Sequence, residues 1–250
     1  MNLIKQAAEL ITNANYLIAL TGAGISSESG IPTFRGQEGL WKKYKVDELA
    51  TLDAFKKNPK LVWQWYSWRI SVVLSAKPNP AHYSLAYLEK IGILKTLITQ
   101  NVDDLHERAG SKNLIKLHGD ILTVKCPSCG YEHKIWKPPK IIPPKCPRCR
   151  AIMRPGVIWF GEIIPQDIIN KALIEAEKAD VILVIGTSGV VMPAGAIPEI
   201  IKRNEGKVIE INIDKTIISS IADIYIRGKA GEVLPKIVEE VNKKRGLRNV

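Results

Sequence analysis

The sequence predicts an α/β protein: a parallel sheet covered by helices, with a small second domain made from two insertions. Three observations lead there. Short apolar runs the length of buried strands alternate along the chain with helix-period segments, the order that builds parallel sheets. Two stretches, residues 37–79 and 119–155, interrupt this rhythm. All four cysteines, Cys126, Cys129, Cys146 and Cys149, fall in the second stretch as two C-x2-C pairs.

In chain order, residues 3–12 read as a helix and 16–20 as the first strand. Further strands are expected at 94–99, 114–117, 181–185, 208–213 and 224–226, and further helices at 82–90, 165–178 and 233–243. Residues 37–79 show no strand pattern but carry Trp63, Trp65, Tyr66 and Trp68, and read as a helical insertion. In 119–155 the proline-rich strip at 137–144 cannot continue a helix or a central strand. The expected division is 1–36, 80–118 and 156–250 for the sheet domain, with 37–79 and 119–155 forming the small one.

Chemistry of the cysteines follows from their spacing. Two knuckles separated by residues 130–145 match a four-thiolate zinc site. A redox use would account for one pair and not for two.

With 250 residues and 46% hydrophobic content the chain can bury a full core. No apolar run approaches the roughly 20 residues of a membrane helix, and the first residues lack a leader pattern. No membrane association and a cytoplasmic location are therefore expected. Basic residues outnumber acidic ones by 36 to 25, a net charge of +11. Most are dispersed, as on a solvated surface; only the tail at Lys243, Lys244, Arg245 and Arg248 is dense. A basic surface can also attract nucleic acid, acidic proteins or an anionic cofactor.

Polar motifs cluster where strands are expected to end, which is where α/β sheets bind ligands. Gly22, Ala23 and Gly24 follow the first strand, so the backbone can turn tightly and approach a pyrophosphate at a following helix. The usual dinucleotide fingerprint is incomplete, because Ser27 stands at its third glycine and no acidic residue ends a second strand about 20 positions on. The loop through Gly36 places Phe34, able to cover a flat heterocycle, beside Arg35, able to hold phosphate. Gln100, Asn101, Val102 and Asp103 follow another strand, where Asp103 or Asp104 could equally cap a helix. His118 follows a third, placed for general-base chemistry; of its rivals, His82 reads as a helix start, His106 as helical and His133 as part of the cysteine module. Gly186, Thr187 and Ser188 follow a fourth strand and Asn212 a fifth, with side chains suited to ribose hydroxyls and equally to turns.

Taken together, GAGISSESGIPTFRG, TQNVDDLHERAG, KLHG, the paired CPxC knuckles, PGVIWFGE, GTSGVVMPAG and VIEIN occur in the order found in sirtuins, from about residue 16 to 235. The chain resembles that family over nearly its whole length. The resemblance implies a Rossmann-type doubly wound domain, a structural zinc domain and an NAD cleft between them. It places Gly22, Ala23, Gly24, Ser26 and Arg35 at the NAD phosphates and nearby ribose, and Phe34 over the nicotinamide ribose. Gln100, Asn101, Val102 and Asp103 would line the nicotinamide pocket, with Asp103 receiving the carboxamide. Gly186, Thr187, Ser188, Asn212 and Ala230 would hold the adenosine side. His118 matches the catalytic base. Phe160, Gly161 and Glu162 on one edge and Gly189, Val190 and Val191 on the other would hold the substrate peptide as an added strand.

Tyr66 and Arg69 have the Y-x-x-R spacing that resembles the branch removing succinyl and malonyl groups. Residues i and i+3 share a helix face, so a phenol and a guanidinium could grip a carboxylate there. Thr33, where many deacetylase-type sirtuins carry Asp, leans the same way.

The implied activity is NAD-dependent removal of acetyl, succinyl or malonyl groups from protein lysines, giving nicotinamide, acylated ADP-ribose and free lysine. Acyl-lysine proteins are the expected partners, among them nucleic-acid-binding ones. Two alternatives share parts of the pattern: ADP-ribosyl transfer to protein, which needs the same NAD pocket, and a non-enzymatic zinc-ribbon nucleic-acid binder, which leaves the glycine loop and His118 unexplained.

Overall fold

The structure, a computed structural model, describes residues 2–35 and 39–247. Gly36 and Arg248, named above in a loop and in the basic tail, lie outside them. The chain opens with α1 (Leu3–Asn13), whose first turn is capped by the Asn2 side chain, and enters β1 (Leu17–Thr21). The first insertion holds α2 (Leu40–Lys43), α3 (Val46–Leu49), α4 (Leu52–Lys57) and α5 (Pro59–Ser75). The chain returns through α6 (Pro80–Lys90), β2 (Leu94–Thr99), α7 (Leu105–Ala109) and β3 (Leu114–Lys116). A second excursion gives β4 (Gly119–Lys125), β5 (Glu132–Lys134) and β6 (Arg154–Val157). The rest is α8 (Gln166–Lys178), β7 (Val181–Ile185), α9 (Ile197–Arg203), β8 (Lys207–Asn212), β9 (Ile224–Arg227) and α10 (Ala230–Arg245).

Among the described residues six strands form one parallel sheet in the order β3-β2-β1-β7-β8-β9. This is the doubly wound arrangement: the chain moves outward from β1 through β2 to β3, then resumes on the other side at β7. The reversal lies between β1 and β7, and a crevice must open there at the carboxyl ends of the strands. Both faces of the sheet are covered, so β1 and β7 are buried along their whole length, as parallel strands require. Strand β8 begins at Lys207, one residue before the expected start, because the Lys207 amide donates to the Asp180 carbonyl at 2.8 Å.

The three remaining strands make an antiparallel sheet, β5-β4-β6. Strand β6 reaches Val157, two residues past the expected edge of the second insertion. Helix α5 packs against this sheet. Asn58 caps its first turn by accepting from the Leu61 amide, and Pro59 occupies its first position, where no amide donor is needed. Val62, Trp63, Tyr66, Arg69, Ile70 and Val73 recur on one face and are buried, so that face turns inward. Trp63 fastens the two insertions together by donating its indole N–H to the Met153 carbonyl at 2.8 Å.

Candidate active site and metal centre

At the switch point the loops after β1 and β7 touch through their backbones. A Cβ on Gly24 would lie 2.7 Å from Gly186 Cα, and one on Gly186 would lie 2.5 Å from the Ile25 nitrogen. Only glycine permits this approach, and Gly186 also has φ 60°. The helix expected after Gly22 is a seven-residue 3₁₀ helix, Ala23–Ser29. Its Glu28 reaches 203 residues along the chain to accept from the Gly231 amide in the first turn of α10 at 2.8 Å.

These loops wall one end of a cavity of about 790 Å³ that runs from the sheet into the insertions. Gly22, Ala23, Gly24, Phe34, Arg35, Gln100, Asn101, His118, Gly186, Thr187, Ser188, Asn212 and Ala230 all line it, as do Tyr66, Arg69, Phe160, Gly161, Glu162 and Val191. Thr187 ties the strand ends together: its hydroxyl accepts from Gln100 Nε2 at 2.9 Å and its carbonyl from Asn212 Nδ2 at 2.9 Å.

Some expected residues stand elsewhere. Ser26 is fully buried and turned away from the cavity, and Ser27 lines the wall instead. Val102 and Asp103 lie behind Gln100 and Asn101, not on the wall. Gly189 and Val190 are outside the cavity, and Val190 is exposed. The physical reason for Ser26 and Asp103 is a buried chain of hydrogen bonds. The Asn79 amide donates to His82 Nδ1 at 3.2 Å, so that ring carries its proton on Nε2, 3.4 Å from Ser26 Oγ. Ser26 Oγ donates to Asp103 Oδ2 at 3.1 Å and accepts from Asn101 Nδ2 at 3.2 Å. The other Asp103 oxygen accepts from the Leu105 amide at 3.1 Å, so Asp103, not Asp104, satisfies the start of α7. Burial pushes the Asp103 carboxyl up, and the Leu105 amide and Ser26 hydroxyl pull it back.

His118 sits at the end of β3, between the two sheets. Its Nδ1 lies 2.9 Å from the Gln100 carbonyl, which can only accept, so the proton is on Nδ1 and the lone pair on Nε2. Burial lowers the imidazole below its ordinary value, against the raising effect of Gln100. A neutral ring with one nitrogen fixed as donor is ready to take a proton on the other. His82 starts α6 and His106 lies within α7, both as expected and both buried behind the wall; His133 is on the exposed strand β5.

In the insertions the cavity is lined by Trp41, Trp65, Tyr66, Arg69 and Trp159. The Arg69 guanidinium is buried, 4.7 Å from the Phe34 ring centre and 4.9 Å from that of Trp65. Among the described residues no carboxylate pairs with it within 4.0 Å. Burial lowers its pKa and raises that of Tyr66; at neutral pH the first is still a cation and the second a neutral donor. Thr33 spends its hydroxyl on the Arg35 carbonyl at 2.9 Å. Sequence reasoning missed Trp159 and Arg154, although the first lies inside the quoted PGVIWFGE motif and the second directly precedes it. An arginine just before an apolar run was the available signal.

The four cysteine sulfurs lie within 4.8 Å of one another, with Cys126 and Cys149 at 3.5 Å and Cys129 and Cys146 at 3.6 Å. Tetrahedral Zn–S bonds of about 2.3 Å set sulfurs roughly 3.8 Å apart, so the residues fit zinc. Burial opposes ionisation of Cys126, but the amides of Cys129 and Ser128 outweigh it and bring the thiol down to about 6. With four protein ligands no position is open to water, so the metal would be structural.

The geometry agrees with comparison to known proteins. A model of the Sir2 family matches residues 22–193. The NAD-dependent protein deacylase of Pyrococcus furiosus is 55% identical over 247 residues, covering 96% of this chain and 99% of that one.

This chain belongs to the Sir2 family.

Another member, NAD-dependent protein deacylase 1 of Archaeoglobus fulgidus, is also 55% identical, over 96% of this chain and 98% of its own. Among solved Sir2 structures, a homologue mutant in complex with ADP-ribose superposes with a TM-score of 0.96 at 51% identity, covering all of both chains. A Sir2 homologue–NAD complex gives 0.92 at 53%, covering 96% of this chain and 94% of that one. A Sir2 protein bound to a myristoylated histone peptide gives 0.80 at 35%, covering 98% of each. No helix among the described residues is long and apolar enough to cross a membrane.

Proposed function

We propose that the chain is an NAD-dependent protein-lysine deacylase, acting on acetyl-lysine and on the acidic succinyl and malonyl groups. The observation that carries the first part is His118, held by the Gln100 carbonyl with Nε2 free, on the wall of a cavity at the sheet's switch point. Family membership and the Sir2 complexes with NAD and ADP-ribose support it.

NAD bound there would supply the ribose carbon that the acyl oxygen attacks and the hydroxyl on which the acyl group ends. Gly22, Gly24 and Gly186 would leave room for its phosphates, and Thr187, Ser188, Asn212 and Ala230 would hold its adenosine side. Gln100 and Asn101 bound the nicotinamide end, with Asp103 behind them to orient Asn101 through Ser26. His118 Nε2 takes the proton from the ribose hydroxyl. Phe160 and Gly161 on one side and Val190 and Val191 on the other flank the peptide of an acyl-lysine protein, nucleic-acid-binding proteins included.

The acidic preference rests on Arg69. A buried cation with no carboxylate partner among the described residues is costly unless a ligand supplies one, and Tyr66 adds a hydroxyl one helical turn away. The division into a sheet domain and a module of two insertions puts the acyl end of the cavity in the module. A cytoplasmic setting suits four thiols kept as metal ligands. Mass spectrometry of one peptide bearing acetyl-, succinyl- or malonyl-lysine, with and without NAD, tests the proposal. NAD-dependent loss of acyl groups with formation of acylated ADP-ribose is expected. An ADP-ribosylated peptide in its place would overturn it.

A further inference from the structure

Trp159 joins the metal module to the acyl end of the cavity. Arg154, the first residue of β6, is buried and forms a bidentate pair with Glu162, Nη1 to Oε1 at 2.5 Å and Nη2 to Oε2 at 2.6 Å. Its guanidinium carbon sits 3.6 Å from the centre of the Trp159 ring. Glu162 Oε2 also accepts from the Trp159 amide at 2.8 Å, and the Glu162 amide donates to the Trp159 carbonyl at 3.0 Å. Both oxygens of Glu162 are therefore occupied, Oε1 by Arg154 and Oε2 by Arg154 and the Trp159 amide, and Trp159 is fixed at its backbone and across one face of its ring.

The fixed indole donates Nε1–H to Tyr66 Oη at 2.9 Å, with both residues buried. An indole N–H can only donate, so the phenol oxygen is the acceptor. Conjugation keeps a phenol hydrogen in the ring plane, on one side of the oxygen or the other. The indole N–H takes up one lone pair of that oxygen, which leaves the hydroxyl hydrogen to be donated to a different group. No acceptor for it is present among the described residues, and Tyr66 lines the cavity.

We infer that Trp159, held by Arg154 and Glu162, orients the Tyr66 hydroxyl as a donor into the acyl channel and thereby sets acyl selectivity; this rests on the acidic-acyl reading above. Trp159 is a positioning residue in this account, acting through Tyr66. Arg69 supplies charge, whereas Tyr66 supplies direction, and direction depends on the indole N–H.

The test is a double-mutant cycle read as the ratio of succinyl-lysine to acetyl-lysine kcat/KM. Trp159→Phe keeps an aromatic ring under Arg154 but removes the donor together with part of the ring volume, a general loss that the ratio cancels; the ratio is expected to fall about fivefold, the scale of one modest hydrogen bond. In a Tyr66→Phe background the same change should leave the ratio nearly where it was. An equal fall in both backgrounds, or a parallel loss of both activities, overturns the inference. Arg69→Met separates the two levels. If it leaves the ratio unchanged, the acidic-acyl reading itself fails; if it lowers the ratio while Trp159→Phe does not, only the role of Trp159 fails. Should Trp159→Phe not fold, the indole N–H resonance of Trp159 is followed in Tyr66→Phe, where loss of the bond moves it upfield and an unmoved resonance overturns the inference.

Discussion

The buried apolar clusters of the six-stranded sheet consist of aliphatic residues alone, while the cluster around the two insertions holds Phe55, Trp63, Trp65, Tyr66, Trp159, Met153 and two cysteine thiols. The first is a broad two-layered interior, stabilised by area removed from water. The second is built from three short helices, the 17-residue α5 and three strands. Its own buried cluster is supplemented by discrete links: a four-cysteine site fitted for a metal, Trp63 on the Met153 carbonyl, and Arg154 on Glu162 and Trp159. The difference teaches how the work of a deacylase is divided. The groups proposed to serve every substrate sit at strand ends of the six-stranded sheet. The groups proposed to choose among acyl chains sit where a few named bonds fix each side chain.

The comparison breaks most sharply if the metal is removed. Chelation, or Cys146→Ala, should melt the insertions while leaving the sheet folded, since zinc contributes on the order of 10 kcal/mol to the folding of small zinc modules. Circular dichroism and zinc analysis should show loss of one metal per chain, loss of turnover, and a second, higher melting step for the sheet. A metal-free chain with full activity and an unchanged melting curve would make the cysteine cluster dispensable.

His118→Ala tests the other region. A general base is worth roughly 100-fold or more in rate, so turnover should collapse with the melting temperature unchanged. In the parent chain the acid limb of kcat/KM should lie below pH 6.5, because burial lowers this imidazole. An acid limb above 6.5, or a folded variant with near parental turnover, sinks the assignment.

Arg69→Met sharpens the division. Loss of a hydrogen-bonded charge pair to the substrate should lower succinyl turnover relative to acetyl by roughly 10- to 100-fold. If both activities fall equally, Arg69 serves the helix and not the acyl group.

The smallest effect concerns stability. Burial, aided by Arg108, lowers His82 to about 4 from an ordinary 6.5. The unfolded chain then binds a proton between those values that the folded chain does not. The stability that His82 contributes is complete above pH 6.5 and is lost as pH falls through 4, with a slope of at most about 1.4 kcal/mol per pH unit. His82→Gln should flatten the acid dependence of denaturant midpoints relative to the parent, and parallel curves would show that His82 does not titrate with unfolding.

What the sequence by itself determined is whatever repeats or recurs locally. The alternating apolar runs and helical patterns specify a parallel sheet, because burial periodicity is a property of neighbouring residues. The cysteine spacing specifies a four-sulfur site, because each knuckle is a local turn. His118, Gln100 and Thr187 were legible as polar residues that follow apolar strands. The tertiary structure alone decided which way they face. Ser26 looks as available as Ser27 in the sequence, and only the burial of His82 and Asp103 beside it turns it inward. The tautomer of His118 depends on a carbonyl 18 residues away, the first turn of α10 is met by Glu28 at a separation of 203, and the Tyr66 oxygen accepts from an indole 93 residues along the chain. Hydrogen-bond direction is set by a partner's position in space, and partners that meet only after the sheet and the insertions have packed leave no periodic trace in the chain.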